Sequence, residues 1–116
     1  MKRQDAEARG RRGEWVAAWW LRLHGWSIVQ QRAKLRMGEV DLIARRGNVI
    51  AFVEVKTRSK AADLDFAIDP YKLRRVVAAA QALAPRLITA DEETRIDVIL
   101  IAPWAWPRHL INVWTG

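Results

Sequence analysis

Apolar residues recur along the chain with two different periods, and the switches between them mark the elements. From about Arg12 to His24 the positions Trp15, Val16, Trp19, Trp20 and Leu23 fall at helical spacing. Gly25 follows and supplies the left-handed residue that commonly ends a helix. Trp26 to Gln31 reads as a short strand centred on Ile28 and Val29. Two stronger strand patterns, Glu39–Arg45 and Val49–Thr57, are separated only by Gly47-Asn48, and a two-residue loop with Gly first is the type II′ hairpin signal. Asp69-Pro70 is a helix start, with Asp as N-cap and Pro at the first helical position. Leu73, Val76, Val77, Ala80 and Leu83 form the apolar stripe of that helix, and Pro85 marks its expected end. Arg95–Ala102 alternates into another strand with Ile96, Val98 and Leu100 on one face. Pro103 to Pro107 holds two Trp in a turn, and His109–Trp114 reads as a last strand.

The order α-β-β-β-α-β-β predicts an α/β, three-layer sandwich: a mixed central sheet with a helix packed on each side. At 116 residues the chain suits one domain, 1–116, with residues 1–11 as a frayed basic arm or a first helical turn. No repeat or Ser/Pro-rich linker divides it.

Composition narrows the chemistry. There is no Cys, so disulfides and Cys-based zinc sites drop out, and with only His24 and His109 a His-rich metal cluster is not expected. Any metal would be held by carboxylates, which points to a hard cation such as Mg²⁺ or Mn²⁺. No apolar run approaches the ~20 residues that span a bilayer and the N-terminus is charged, so the expectation is a cytoplasmic protein with no membrane partner. The formal charge is +7, from 20 Lys+Arg against 13 Asp+Glu. An excess of that size favours polyanions, DNA among them, through counterion release. The cations are clustered: Arg9, Arg11 and Arg12, then Arg45 and Arg46, then Lys72, Arg74 and Arg75.

The hairpin carries the unusual feature. If Gly47 and Asn48 are the loop, Arg46 pairs with Val49 and the register follows. Ala44, Leu42 and Val40 then face Ala51, Val53 and Val55 on one wholly apolar side. The other side begins with Ile43 and Phe52, but further from the turn it sets Asp41 opposite Glu54 and Glu39 opposite Lys56. Opposed carboxylates repel, and two that share a site must take up a proton or bind a cation. An ion-pair network, with Glu39 on Lys56 and an Arg on Asp41, is the competing account.

The segments Gly38-Glu39-Val40-Asp41-Leu42-Ile43-Ala44 and Phe52-Val53-Glu54-Val55-Lys56-Thr57-Arg58 resemble the signature of the YraN family, within the PD-(D/E)xK restriction-endonuclease-like superfamily. The resemblance runs from about Gly13 to Trp114. Glu14, Lys72 and Arg95-Ile96-Asp97-Val98 also match in kind and order, while Val40 stands where the superfamily has Pro. It implies the αβββαβ nuclease core, also seen in archaeal Holliday junction resolvases, and a Mg²⁺-dependent site. By position, Asp41 and Glu54 would be metal ligands together with the carbonyl of Val55. Lys56 would orient or activate the attacking water, and Glu14 would complete the metal shell or position a second ion. The implied activity is endonucleolytic hydrolysis of DNA, on branched or repair intermediates, with a homodimer left open.

Lys72, Arg74 and Arg75 crowd the start of a helix, where the dipole already favours an anion, and with Arg58 they are the candidate phosphate contacts. Trp104 and Trp106, in their Pro-flanked turn, could stack on bases, while the other Trp are expected mostly in the core. Asp97 is expected to be structural, paired with Arg95 or Arg58, and His24 and His109 to have no catalytic role. Two rivals stand beside the nuclease: a nucleic-acid-binding module that has lost turnover, and a membrane-surface or protein-interaction domain. For the latter no helix offers the broad basic and apolar faces required.

Overall fold

In the computed structural model the described residues are 2–60, 69–89 and 91–114, with side chains described from Gly10 onward, so Arg9 lies outside the described side chains. The elements are α1 (Lys2–Leu23), β1 (Ser27–Leu35), β2 (Gly38–Arg46), β3 (Val49–Thr57), α2 (Pro70–Leu87), β4 (Glu93–Ile101) and β5 (Arg108–Leu110). The strands form one sheet in the order β1-β2-β3-β4-β5. Among the described residues only β3 and β4 run parallel. Loop length explains the pattern. Gly47 takes φ 58 and turns the chain straight back into an antiparallel partner, whereas parallel β3 and β4 need the crossover that α2 provides. Asp69 caps α2 by accepting a 2.9 Å bond from the Tyr71 N–H.

Each face of the sheet is covered by one helix, which gives the expected three-layer sandwich. On the α2 side, Ile43, Ile50, Phe52, Ile96, Val98 and Leu100 pack beneath Leu73, Val76, Val77, Ala80 and Leu83. On the α1 side, Leu42, Ala44, Ala51, Val53 and Ile99 pack beneath Ala17, Ala18 and Leu21. Central β3 is therefore covered twice, which is why its sequence is an apolar run rather than an alternation.

The expected bounds need correction at several places. Helix α1 begins at Lys2 rather than near Arg12, and β1 continues to Leu35. Pro85 lies inside α2, which closes only when the Ile88 N–H bonds the Ala84 carbonyl at 2.9 Å. In the last turn a proline forfeits one bond, and the residues beyond it remain helical. Strand β5 is limited to three residues because Asn112 turns to φ 52 and gives its N–H to Asp97 at 2.9 Å. The largest correction concerns tryptophan. Trp26 alone of the seven is buried, while Trp15 is 63% exposed and Trp19 47%. The face of α1 that meets the sheet is made of Gly13, Ala17, Ala18 and Leu21. Helical spacing in the sequence fits either stripe. The helix lies so close to β3 that a Cβ at Gly13 would collide with Thr57, and only small residues fit there.

Asp97 is fully buried and structural, as expected. Arg95 donates to both its oxygens at 3.0 and 2.8 Å, and His109 Nε2 lies 2.8 Å from Oδ2. Burial pulls its pKa upward, but the bonds from His109, Arg95 and the Asn112 N–H outweigh burial and hold it below the usual range. His109 thus has a structural partner, tying β5 to β4.

Candidate active site

The β2–β3 ladder follows the register set by the Gly47-Asn48 loop, from Arg46↔Val49 through Ala44↔Ala51 to Leu42↔Val53. There it stops, although β2 stays paired to β1 as far as Gly38 and β3 stays paired to β4 as far as Thr57. Hydrogen-bonded pairs alternate along an antiparallel ladder, so the next exchange would join Val40 and Val55. Instead the Val55 N–H donates to Asp41 Oδ2 at 2.8 Å. A carboxylate has taken the place of a backbone carbonyl, and the strands part around it.

The alternation of β2 breaks at the same residue. Leu42 and Ala44 belong to the α1-side core, but Val40 packs in the α2-side core with Ala33 and Ile43. Regular pleating would put Val40 on the side of Leu42, so the single apolar face expected for Val40, Leu42 and Ala44 holds only for the latter two. Across from Asp41, between the pairs Gln31↔Leu42 and Ala33↔Val40, Arg32 sits at φ 53. A non-glycine residue is rarely held there, and such strain concentrates at functional positions.

The opening between the strands is a cleft of about 290 Å³. Glu39, Asp41, Glu54, Val55 and Lys56 line it from the sheet, Gly10 and Glu14 from α1, and Tyr71, Lys72, Arg75 and Val76 from α2. Asp41 and Glu54 therefore share one site, though not as a regular cross-strand rung. Lys56 Nζ lies 3.0 Å from Glu54 Oε1, with both side chains nearly buried. Glu39, expected opposite Lys56, does not take it as partner. Glu14 Oε2 accepts a 2.7 Å bond from Arg32 Nε. Burial raises the Asp41 pKa from 3.8 to about 6, and the charges of Glu14 and Glu54 push the same way against the Val55 N–H and Lys56.

The model of the Uncharacterised protein family UPF0102 matches residues 13–101. The chain belongs to that family. It is 64% identical over 114 residues to the UPF0102 protein of Sphingopyxis alaskensis, covering 98% of each chain. To the UPF0102 protein of Bartonella tribocorum it is 44% identical over 116 residues, covering 99% of this chain and 89% of the other. Among solved structures it is similar to Hjc, a Holliday junction resolvase from the archaeal hyperthermophile Archaeoglobus fulgidus, with a TM-score of 0.60 at 18% identity over 88% of this chain and 71% of that one. This likeness shows that the UPF0102 chain has the resolvase-type nuclease fold.

The fold gathers most, but not all, of the residues singled out in the UPF0102 sequence. Asp41, Glu54, Val55, Lys56 and Glu14 meet in the cleft with Lys72 and Arg75. Arg74 does not line it, and Arg58 lines a neighbouring groove instead. Gly10, Tyr71 and the strained Arg32 escaped sequence reading. Gly38, the first residue of the family-like segment, acquires its reason here: a Cβ there would strike the Arg75 backbone, so this glycine lets α2 lie against the cleft. Among the described residues no three acidic or histidine side chains stand together as a ready ligand cluster. The oxygens the cleft offers a cation are those of Asp41, Glu54 and the Val55 carbonyl, which shares the side of its own N–H and so faces the parted strands. Such a set suits a cation that keeps several waters and needs only one or two carboxylates, as Mg²⁺ does.

Proposed function

We propose that this UPF0102 chain is a metal-dependent endonuclease, one domain over residues 1–116, that hydrolyses phosphodiester bonds in branched or repair-type DNA. One observation carries the reading. Asp41 is half-buried between Glu14 and Glu54, with its pKa pushed up to about 6, at the point where the sheet gives up a backbone pair to make room for it. That arrangement is costly in an empty fold and useful where a cation and a phosphate must sit together.

Asp41, Glu54 and the Val55 carbonyl would hold Mg²⁺ or Mn²⁺, which supplies charge for the phosphoryl oxygens and acidifies bound water. Lys56, fixed by Glu54 at 3.0 Å, lines the cleft and orients the water whose oxygen attacks phosphorus as the bond to the leaving oxygen breaks, the attacking water giving its proton to solvent and the leaving oxygen taking one from it. Lys72 and Arg75 line the same cleft and face the flanking phosphates. Glu14, reached through α1, sits beside Asp41 and completes the acidic wall. The resolvase-type fold and the charge of +7 support DNA as the substrate.

A nucleic-acid-binding module without turnover is the second reading, favoured by the pairing of Glu14 with Arg32 and of Glu54 with Lys56. A cleavage screen over single-stranded, duplex, flapped and four-way DNA separates the two. The parent should cut at least one substrate with Mg²⁺ or Mn²⁺, and Asp41→Asn and Lys56→Ala should not. Binding without cleavage under every metal would leave the module.

A further inference from the structure

On the other side of α1 lies a second opening, of about 510 Å³, whose chemistry is the opposite of the cleft's. Its apolar walls are Val16, Ile101, Ala102, Pro103, Ala105 and Pro107. The charged residues lining it are Arg12 and Arg58, and no carboxylate joins them among the described residues. One N–H of Arg58 donates to the Thr57 carbonyl at 2.7 Å, which holds the guanidinium against the end of β3. Pro103, Ala105 and Pro107 line the groove, whereas Trp104 and Trp106 of the same turn stand exposed outside it, at 104% and 83%, and meet Ala105 in a shallow surface that shares this residue with the groove. Trp104, directly after Pro103, sits at φ 61, a backbone state that L side chains rarely adopt. Trp106 lies 6.4 Å from Trp20 of α1.

The groove and the cleft are neighbours. Gly10 and Glu14 line the cleft, whereas Arg12, Gly13 and Val16 line the groove, so the openings are separated by one helix, about 10–12 Å across. Lys56 belongs to the cleft and Arg58 to the groove, some 7 Å apart along a strand.

From this placement we infer that the groove and its two exposed indoles bind an unpaired strand that adjoins the cleavage point, with α1 dividing it from the strand in the cleft. The inference rests on the nuclease reading and narrows its substrate to DNA carrying a single-stranded arm next to the cut. A duplex presents phosphates and keeps its base faces stacked, and an apolar wall gives phosphates no partners. An unpaired strand offers base faces to Trp104 and Trp106 and a few phosphates to Arg12 and Arg58. That is the combination of stacking platform and sparse cations by which single strands are held. An acidic or neutral protein segment would match the Arg residues but would have no comparable use for two rigid, outward indoles.

Binding is measured by fluorescence anisotropy in EDTA, so that turnover is not needed, with one labelled duplex and the same duplex carrying an unpaired oligothymidine arm at fixed salt. The parent should bind the armed duplex roughly tenfold more tightly, the scale expected for stacking of a base or two. The double variant Trp104→Ala/Trp106→Ala should lose most of that difference and keep its affinity for the plain duplex, while Trp104→Phe/Trp106→Phe should recover much of it. Trp15→Ala/Trp19→Ala, on exposed positions of α1 outside the groove, should change neither. Equal affinity of the parent for both DNAs overturns the inference even if the protein cuts plain duplex. Unchanged arm preference in the Ala pair, with a shift to a smaller species in sedimentation, assigns the surface to a protein contact and overturns it as well. A preference for the arm without cleavage under any divalent metal removes the nuclease reading and leaves the strand-binding surface supported.

Discussion

Replacing Asp41 with Asn should make the metal-free protein more stable, which is the reverse of what removing a half-buried, hydrogen-bonded carboxylate usually does. The raised pKa gives the magnitude. A carboxyl that ionises at about 6 rather than 3.8 binds its proton more tightly in the folded chain, by about 3 kcal/mol at ~1.36 kcal/mol per decade. At neutral pH the folded state carries that cost. Asn removes the charge, and its side-chain oxygen still accepts the Val55 N–H, though by roughly 1 kcal/mol less than a carboxylate does. The net gain is about 1–2 kcal/mol, or roughly 3–12 °C in Tm for a chain of this size.

The pH dependence has a definite sign. Because the folded pKa lies above the unfolded one, the parent loses stability relative to the variant as pH climbs from 3.8 to about 6, and the full difference is present above that. Asp97 behaves the opposite way: its depressed pKa gives stability that is lost only as pH falls below the ordinary carboxylate range. It is common to both proteins and cancels in the comparison. The assay is thermal unfolding of both chains in EDTA at pH 4.5, 6 and 7.5, repeated at pH 7.5 with MgCl₂. A cation bound at ten times its Kd adds about 1.4 kcal/mol to the parent and little to the variant. An Asn variant less stable than the parent at pH 7.5, or a difference independent of pH, would refute the account of Asp41 as a charge the empty fold cannot satisfy.

On the proposed nuclease function, which gives Lys56 its work on the attacking water, Lys56→Ala should abolish cleavage while leaving most DNA binding, measured by single-turnover kinetics beside anisotropy. Lys72→Ala and Arg75→Ala should each flatten the dependence of log K on log salt by about one unit, whereas Arg74→Ala, outside the cleft, should leave the slope unchanged. Asp97→Ala should cost roughly 3–5 kcal/mol in urea unfolding, because it strands Arg95 and His109 without the buried carboxylate that both bind.

Periodicity made the architecture legible, because each strong element repeats one simple rule. Gly47-Asn48 set the register of Arg46↔Val49 and hence the sharing of one site by Asp41 and Glu54, and Asp69-Pro70 set the start of α2. The misreadings fall where two patterns compete for the same residues. In α1 both the tryptophan stripe and the alanine stripe have helical spacing. Only the distance between helix and sheet at Gly13 and Thr57 decides which is buried, and that is a tertiary fact.

The site itself was legible in its residues and illegible in its shape. Strict alternation along β2 predicts a flat rung with Asp41 facing Glu54, and a flat rung would leave no room for a cation and a phosphate between two packed layers. The chain makes the room by breaking its own pattern. Val40 changes sides, Arg32 is held at φ 53, and the Val55 N–H turns to a carboxylate. None of these events has a sequence signal, since Arg at a left-handed position and Val on either face are ordinary residues read locally. They occur together at one level of the sheet, where Asp41 lies. If the opening is what strains Arg32, then Arg32→Gly, which relaxes φ at the cost of the Glu14 pair, should restore none of the closed ladder, and hydrogen exchange at Val55 should stay as in the parent. Asp41→Ala removes the acceptor, and there the Val55 amide should change its protection. A Val55 amide that responds to Arg32 and not to Asp41 would mean that the backbone kink, rather than the carboxylate, parts the strands.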